Sequence, residues 1–94
     1  MNLTFLFTDI EGSTRLWEAN QARMAKALAY HDALLRQLVT EHSGQVFKTV
    51  GDAFCCVFDS ADQAVKAAIE IQTALSISQF EGVTLKVRFA IHSG

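Results

Sequence analysis

The order in which the spacing of apolar residues changes along this chain constrains its fold more than any other feature. Leu3 to Phe7 is a short apolar run that reads as a strand and ends in Thr8 and Asp9. From Ser13 to about His42 there is no proline. Within that stretch Met24, Ala27, Leu28, His31, Leu34, Leu35 and Leu38 recur at steps of three and four, which predicts a long helix. Leu16 and Trp17 belong to a short first turn that docks the preceding loop on the core, and Ser43-Gly44 supplies the C-terminal stop. Gln45–Val50 and Ala53–Phe58 flank Gly51-Asp52, which reads as a hairpin. Asp59-Ser60 opens a second helix in which Ser60 and Gln63 form a capping-box pattern. Its expected buried stripe is Ala61, Ala64, Val65, Ala68, Ile69, Gln72 and Leu75. Ser76 to Gly82 is the linker to a last strand, Val83 to about His92. There Val83, Leu85, Val87, Phe89 and Ile91 share one face, opposite Lys86 and Arg88.

The resulting order, β-α-β-β-α-β, is the ferredoxin-like arrangement: an α+β fold with a four-stranded antiparallel sheet and both helices on one face. With 94 residues the chain is expected to form one domain, residues 1–94. In this topology the first strand lies beside the third and antiparallel to it. The end of the first strand, at Asp9, then neighbours the start of the third, at Asp52.

Half of the residues are hydrophobic and 19% are charged, so a packed core is expected rather than disorder. The formal net charge of -2 is spread without a basic patch or a lysine-rich face, which argues against nucleic acid and against an anionic membrane surface. The longest apolar runs are far too short to span a bilayer. Met1-Asn2-Leu3 lacks the charged and apolar regions of a signal peptide. Cys55 and Cys56 are adjacent in a strand and point to opposite faces, so they read as two buried structural thiols of a reducing compartment, with cytoplasm as the expectation.

The stretch F-L-F-T-D-I-E-G-S-T-R, Phe5 to Arg15, carries the chemistry. A carboxylate closing a buried strand can hold a cation, while the backbone N–H groups of Glu11, Gly12, Ser13 and Thr14 face an anion. Two carboxylates at neighbouring strand ends repel unless a cation lies between them, and a hard divalent ion completing its shell with substrate phosphates is the natural occupant. A pair of such ions can activate an attacking oxygen and neutralise charge on phosphorus. The alternative is plainer: Asp9 or Ser13 caps the helix start and Asp52 caps the hairpin turn.

The pair F-T-D-I-E-G-S-T (Phe7 to Thr14) and F-K-T-V-G-D-A-F (Phe47 to Phe54) resembles the class III nucleotidyl cyclases, and more narrowly the bacterial adenylate cyclase domains. The closing R-F-A-I-H-S-G, Arg88 to Gly94, agrees, and the similarity runs over essentially the whole chain. The resemblance implies a phosphorus–oxygen lyase that converts ATP to 3′,5′-cyclic AMP and pyrophosphate with two divalent ions, Mg²⁺ or Mn²⁺. It implies Asp9 and Asp52 as the catalytic metal ligands, with the backbone carbonyl of Ile10 added. Gly12, Ser13 and Thr14 would cradle the triphosphate, and Lys48 would read adenine, because an ammonium donates to a ring nitrogen but cannot satisfy the N1 donor of guanine. The family works as a head-to-tail homodimer, so Lys48 would serve the partner's site. Family domains run to nearly twice this length. The expectation is therefore an N-terminal, metal-and-phosphate half with weak activity or none.

Two other readings compete. A diguanylate-type cyclase or polymerase palm shares the fold and a carboxylate pair, but its hairpin should read G-G-[DE]-E-F, whereas this one reads V-G-D-A-F. A non-catalytic nucleotide-binding or dimerisation module would associate through an exposed sheet face or edge. His31 reads as a packed or boundary histidine, His42 as a helix-closing cation, and Trp17 as a core or interface anchor. His92 has no metal-ligating neighbours in sequence.

Overall fold

The computed structural model describes residues 2–77 and 83–94. Its elements are β1 (Thr4–Ile10), α1 (Ser13–Ala19), α2 (Gln21–Glu41), β2 (Gln45–Val50), β3 (Ala53–Phe58), α3 (Ala61–Ile77) and β4 (Val87–Ser93). The strands form one antiparallel sheet in the order β2-β3-β1-β4. This is the ferredoxin-like order expected from the sequence, with a short extra helix, α1, ahead of the long one.

Alternation in β1 decides which way the sheet faces. Thr4, Leu6, Thr8 and Ile10 are buried under the helices, while Phe5, Phe7 and Asp9 lie on the other face. Phe54, Cys56 and Phe58 of β3 join the helix side and pack with Leu6, Leu35, Val39 and Ile71 in the main core. A second, smaller core gathers Ile10, Met24, Ala27 and Leu85, with Leu16 and Trp17 against it. Fully burying side chains of this size contributes roughly 1.5–3 kcal/mol each, so the small core fixes α1 and the loop before it to the end of β1. The Cys56 thiol is buried and its pKa is pushed up to about 11 by that burial, whereas Cys55, expected to be buried too, is only half-buried because it lies on the open face; both are free.

Several boundaries differ from expectation, each for a local reason. β1 continues through Asp9 to Ile10 because β4 pairs with it that far, Asp9 opposite Arg88 and Ile10 opposite Val87. Asp9 is therefore one residue inside the strand rather than at its end. Regular pairing ends at Ile10, with one further hydrogen bond from the Glu11 N–H to the Lys86 carbonyl, so β4 begins at Val87 rather than Val83, although Val83 and Leu85 still pack on the small core. The expected single helix is broken at Asn20, whose backbone is extended and whose side chain accepts a hydrogen bond from the Arg23 N–H (2.9 Å). In α3 the buried stripe is Ala64, Ala67, Ile71 and Leu75, about one residue out of phase with the expected one. Val65 and Ile69 face outward instead, Ile69 being 60% exposed. This helix is apolar on more than one side, so periodicity alone does not select the buried face. α3 also runs two residues into the expected linker, through Ile77; residues 78–82 lie outside the described residues.

Two junctions explain how α2 returns the chain to the sheet. The Gly44 N–H donates to the Val39 carbonyl (2.8 Å) and the Ser43 N–H to that of Thr40 (3.0 Å), a Schellman stop. The left-handed residue in it is Ser43 (φ 62°), not glycine. Gly44 is needed for another reason: a Cβ there would run into the Phe58 ring. His42, the C-cap, then ties α2 to α3, with Nδ1 2.9 Å from Gln63 Oε1 and Nε2 3.0 Å from Glu70 Oε2. Gln63 thus reaches His42 rather than closing the capping box, while its own N–H takes the Ser60 hydroxyl oxygen as acceptor (3.4 Å). Among the described residues no helix is long and apolar enough to cross a membrane.

Two stability predictions follow from these junctions. Ser43→Gly relieves the left-handed strain and is expected to stabilise by about 1 kcal/mol, whereas Gly44→Ala forces the buried Phe58 aside and is expected to cost about 1–3 kcal/mol. Thermal melts of both variants check the opposite signs. Both ring nitrogens of His42 face acceptors, and the Glu70 carboxylate first, then Gln63, raise its pKa above 6.5. A raised folded-state pKa gives stability that is complete below the unfolded value and is lost as pH rises through the folded one. The gap in melting temperature between the parent and His42→Gln should therefore be larger near about pH 5.5 than near about pH 8.5. A gap that grows with pH would contradict the pairing.

Candidate active site

The two aspartates singled out from the sequence reach the site by different routes. Asp9 is held by strand pairing. Its neighbour Thr8 lies opposite Phe54 of β3, and Asp9 itself lies opposite Arg88 of β4. Asp52 is held by the hairpin, where Val50 pairs with Ala53 across a two-residue turn. Gly51 alone in that turn has positive φ (60°), the pattern of a type II′ hairpin, which takes glycine at its first position. That geometry puts Asp52 directly ahead of β3, at the same corner of the sheet as Asp9.

The carboxylates are in unlike states. Arg88 forks onto Asp9, with Nε donating to Oδ1 and Nη2 to Oδ2, both at 2.8 Å. The guanidinium holds the Asp9 carboxyl below its ordinary pKa of 3.8, chiefly through these hydrogen bonds. Asp52 has one oxygen, Oδ2, that is buried and has no hydrogen-bond partner among the described residues. A buried carboxylate oxygen without a donor is costly, and a cation is the partner its chemistry asks for. Asp52 also acts electrostatically on Arg88, so both carboxylates surround one positive group. Among the described residues there is no cluster of three or more His, Cys, Asp or Glu, so any cation here would rest on this pair and on backbone oxygen.

The loop between β1 and α1 carries the anion-facing groups. Gly12 is the N-cap of α1 in a left-handed conformation (φ 66°), with no side-chain cap. Neither Asp9 nor Ser13 caps the helix, which removes the plainer reading of Asp9. The first-turn amides at Ser13 and Thr14 have no intrahelical acceptor by helix geometry. Glu11 is a correction: its N–H donates to the Lys86 carbonyl (2.8 Å), extending the β1–β4 pairing, and is not free for an anion. Ile10 is buried, so its side chain anchors the backbone whose carbonyl closes the strand.

Lys48 lies elsewhere. It is exposed on β2, opposite Cys55, just after the irregularity in pairing between Val46 and Lys48. β3 separates it from β1, and it is not brought to Asp9 within the chain. It makes no ion pair with a carboxylate among the described residues. The open sheet face between them is aromatic: Phe5 stacks on Phe7 (6.3 Å) and meets Phe47 edge-on (6.1 Å), with Phe7 and Phe47 41% and 50% exposed. A hollow of about 270 Å³ on this side is lined by Phe7, Asp9, Ala53, Cys55, Arg88 and Ala90.

Sequence reasoning gave Arg88 no role beyond its face of the last strand. The signal was its register: a cation directly across from Asp9 in an antiparallel pair. His31 is buried as expected, edge-on to Phe54 (5.7 Å), with Nδ1–H donating to Asp32 (2.9 Å). Its Nε2 has no partner among the described residues.

Comparison with known proteins gives this geometry its context. The family model of the adenylate and guanylate cyclase catalytic domain matches residues 1–94. Receptor-type adenylate cyclase B of Leishmania donovani is 48% identical over 73 residues, which make up 78% of this chain and 6% of that protein. A receptor-type adenylate cyclase of Trypanosoma congolense is 44% identical over 73 residues, again 78% of this chain and 10% of that protein. A solved structure of an adenylate cyclase from Trypanosoma brucei in its monomeric state matches with a TM-score of 0.94 at 29% identity, covering 99% of this chain and 56% of that one. The chain thus spans a small part of its curated relatives and just over half of the solved chain. It belongs to the adenylate and guanylate cyclase catalytic domain family.

Proposed function

We propose that residues 1–94 are the metal- and phosphate-binding part of an adenylate cyclase domain that converts ATP to 3′,5′-cyclic AMP and pyrophosphate. The observation that carries the reading is the corner shared by Asp9 and Asp52, one carboxylate in the strand and the other with a buried oxygen that has no donor among the described residues. Asp9, Asp52 and the Ile10 carbonyl would hold Mg²⁺ or Mn²⁺, two ions when the site is complete. When bound, those ions would activate the ribose 3′-hydroxyl and neutralise charge at the α-phosphorus. The Gly12, Ser13 and Thr14 amides, with the Thr14 hydroxyl, would orient the triphosphate for that attack. Lys48 would read adenine in the site of a second copy, head-to-tail, which agrees with its separation from Asp9 by β3. We place this activity in the cytoplasm, in keeping with two free thiols, one of them deeply buried.

A second reading has its own observation. The aromatic open face supports an association module that binds nucleotide without turnover. The two separate in one experiment on the 94-residue chain, with ATP and Mn²⁺. Weak cyclic AMP formation that disappears in Asp9→Ala supports the lyase. Nucleotide binding without product, both here and in a chain extended to the full family length, supports the module. Under either reading Asp52→Asn is expected to weaken Mn²⁺–ATP binding by at least about tenfold, since even groups behind a metal ligand matter that much. Unchanged binding in Asp52→Asn would sink the metal site. Lys48→Glu is expected to shift preference from ATP towards GTP, as measured by competition binding at dimerising concentrations.

A further inference from the structure

We propose that Thr8 and His31 are positioning residues that hold Asp52 from the helix side of the sheet through one internal water. That water accepts from the Thr8 hydroxyl and donates to His31 Nε2 and to Asp52 Oδ2. The role rests on the cation site proposed above and supplies the groups behind it. Among the described residues, three buried side-chain atoms have no hydrogen-bond partner: Thr8 Oγ1, His31 Nε2 and Asp52 Oδ2. Each is costly if left unpaired, and a buried water characteristically makes about three hydrogen bonds to such groups.

The fold gathers the three around Phe54. Thr8 pairs with Phe54 across the sheet and is buried under the helices. The His31 ring, fully buried, meets Phe54 edge-on at 5.7 Å. Asp52 stands two residues ahead of Phe54, about 7 Å along the strand direction. The repeats of helix and strand agree with this placement. Ala27 shares the small core with Ile10, and Leu35 shares the main core with Leu6. His31 lies midway between Ala27 and Leu35, as Thr8 lies midway between Ile10 and Leu6. Four helical residues rise about 6 Å and two strand residues about 7 Å, so His31 comes level with Thr8.

Donor and acceptor chemistry then calls for a bridge. His31 Nδ1–H donates to the Asp32 carboxylate (2.9 Å), which leaves Nε2 as an acceptor. A carboxylate oxygen is also an acceptor, so His31 and Asp52 cannot satisfy each other directly. The Thr8 hydroxyl has one proton for two acceptors, whereas water has two protons and an oxygen that accepts the hydroxyl's. One water therefore satisfies all three atoms, and it joins groups about 5–6 Å apart. Asp52 Oδ2 keeps a second acceptor site for the cation, and carboxylates that bind metal are characteristically hydrogen-bonded behind it. Asp32, with its side chain 43% exposed, holds the far side of the His31 ring. Because Thr8 is the neighbour of Asp9 in β1, the same bridge ties both cation ligands to α2.

The test combines histidine-ring ¹⁵N NMR with titration of Mn²⁺ alone, read from the free-ion EPR signal. It compares the 94-residue chain with its Thr8→Val, Thr8→Ser, His31→Phe and Asp52→Asn forms. His31 is expected to carry its ring proton on Nδ1, and Mg²⁺ should move its Nε2 signal. Thr8→Val keeps the shape and loses the hydroxyl. In it Mn²⁺ affinity should fall about tenfold, the lower end for groups behind a metal ligand, and the Mg²⁺-induced shift should disappear. Thr8→Ser should restore both. A purely structural polar cluster would move the melting temperature but neither the metal affinity nor the response of His31 to Mg²⁺. A ring proton on Nε2 overturns the proposal, and so does parental Mn²⁺ affinity in Thr8→Val when Asp52→Asn loses it; both leave the metal site intact. Mn²⁺ binding that is unchanged in Asp52→Asn, or absent from the parent, overturns the metal-site reading and the proposal with it. Should Thr8→Val melt below the assay temperature, His31→Phe carries the comparison, and affinity equal to that of the parent counts against the proposal. The proton position in the parent needs no variant.

Discussion

Pairing of β1 with a neighbour on each side is the constraint from which the other features follow. β3 fixes β1 through five residue pairs from Thr4–Phe58 to Thr8–Phe54, and β4 fixes it through Ile10. Because side chains alternate, that register sends Leu6, Thr8 and Ile10 into the helix layer and leaves Phe5, Phe7 and Asp9 on the open face. A slip of one residue would exchange the two sets, burying Asp9 and losing the core at once. The position of Asp9 is therefore set by the energetics of the whole sheet, and the Arg88 fork then orients its carboxylate.

The helix layer serves the same corner from behind. Ile10 sits in the small core with Met24, Ala27 and Leu85, and Leu16 and Trp17 of α1 close over it. Immobilising α1 in this way sets the direction of the Gly12–Thr14 amides relative to Asp9. The far end of the sheet does different work: the Phe5, Phe7 and Phe47 cluster leaves apolar surface on the face that also carries Arg88 and Asp9. An apolar face beside a charged corner is the composition of an association surface with chemistry at its rim.

Much of this was legible in the residues. The hairpin was read to the residue, because a Gly-Asp turn between two apolar runs has few other solutions. The strand order followed from the element order, and with it the meeting of Asp9 and Asp52 at one corner. What escaped depended on pairing or packing rather than on pattern. The length of β1, and so the strand position of Asp9, is decided by how far β4 reaches, which no local signal records. Glu11 lost its expected freedom for the same reason, because its amide meets Lys86 from another strand. In α3, Val65 and Ile69 fit a helical stripe as well as Ala67 and Ile71 do, and only the shape of the sheet beneath selects between them. At the end of α2 the sequence marks Ser43-Gly44 as the stop but not which residue does what: Ser43 is left-handed and Gly44 makes way for Phe58.

The central claim is that Asp9 and Asp52 form one cation site. Paramagnetic broadening of backbone amide NMR signals by substoichiometric Mn²⁺ tests it most directly. The account predicts selective loss of signals from Asp9 to Thr14 together with those of Gly51 to Ala53, at the same metal concentration. Broadening confined to one of the two segments, or centred elsewhere on the chain, would contradict it.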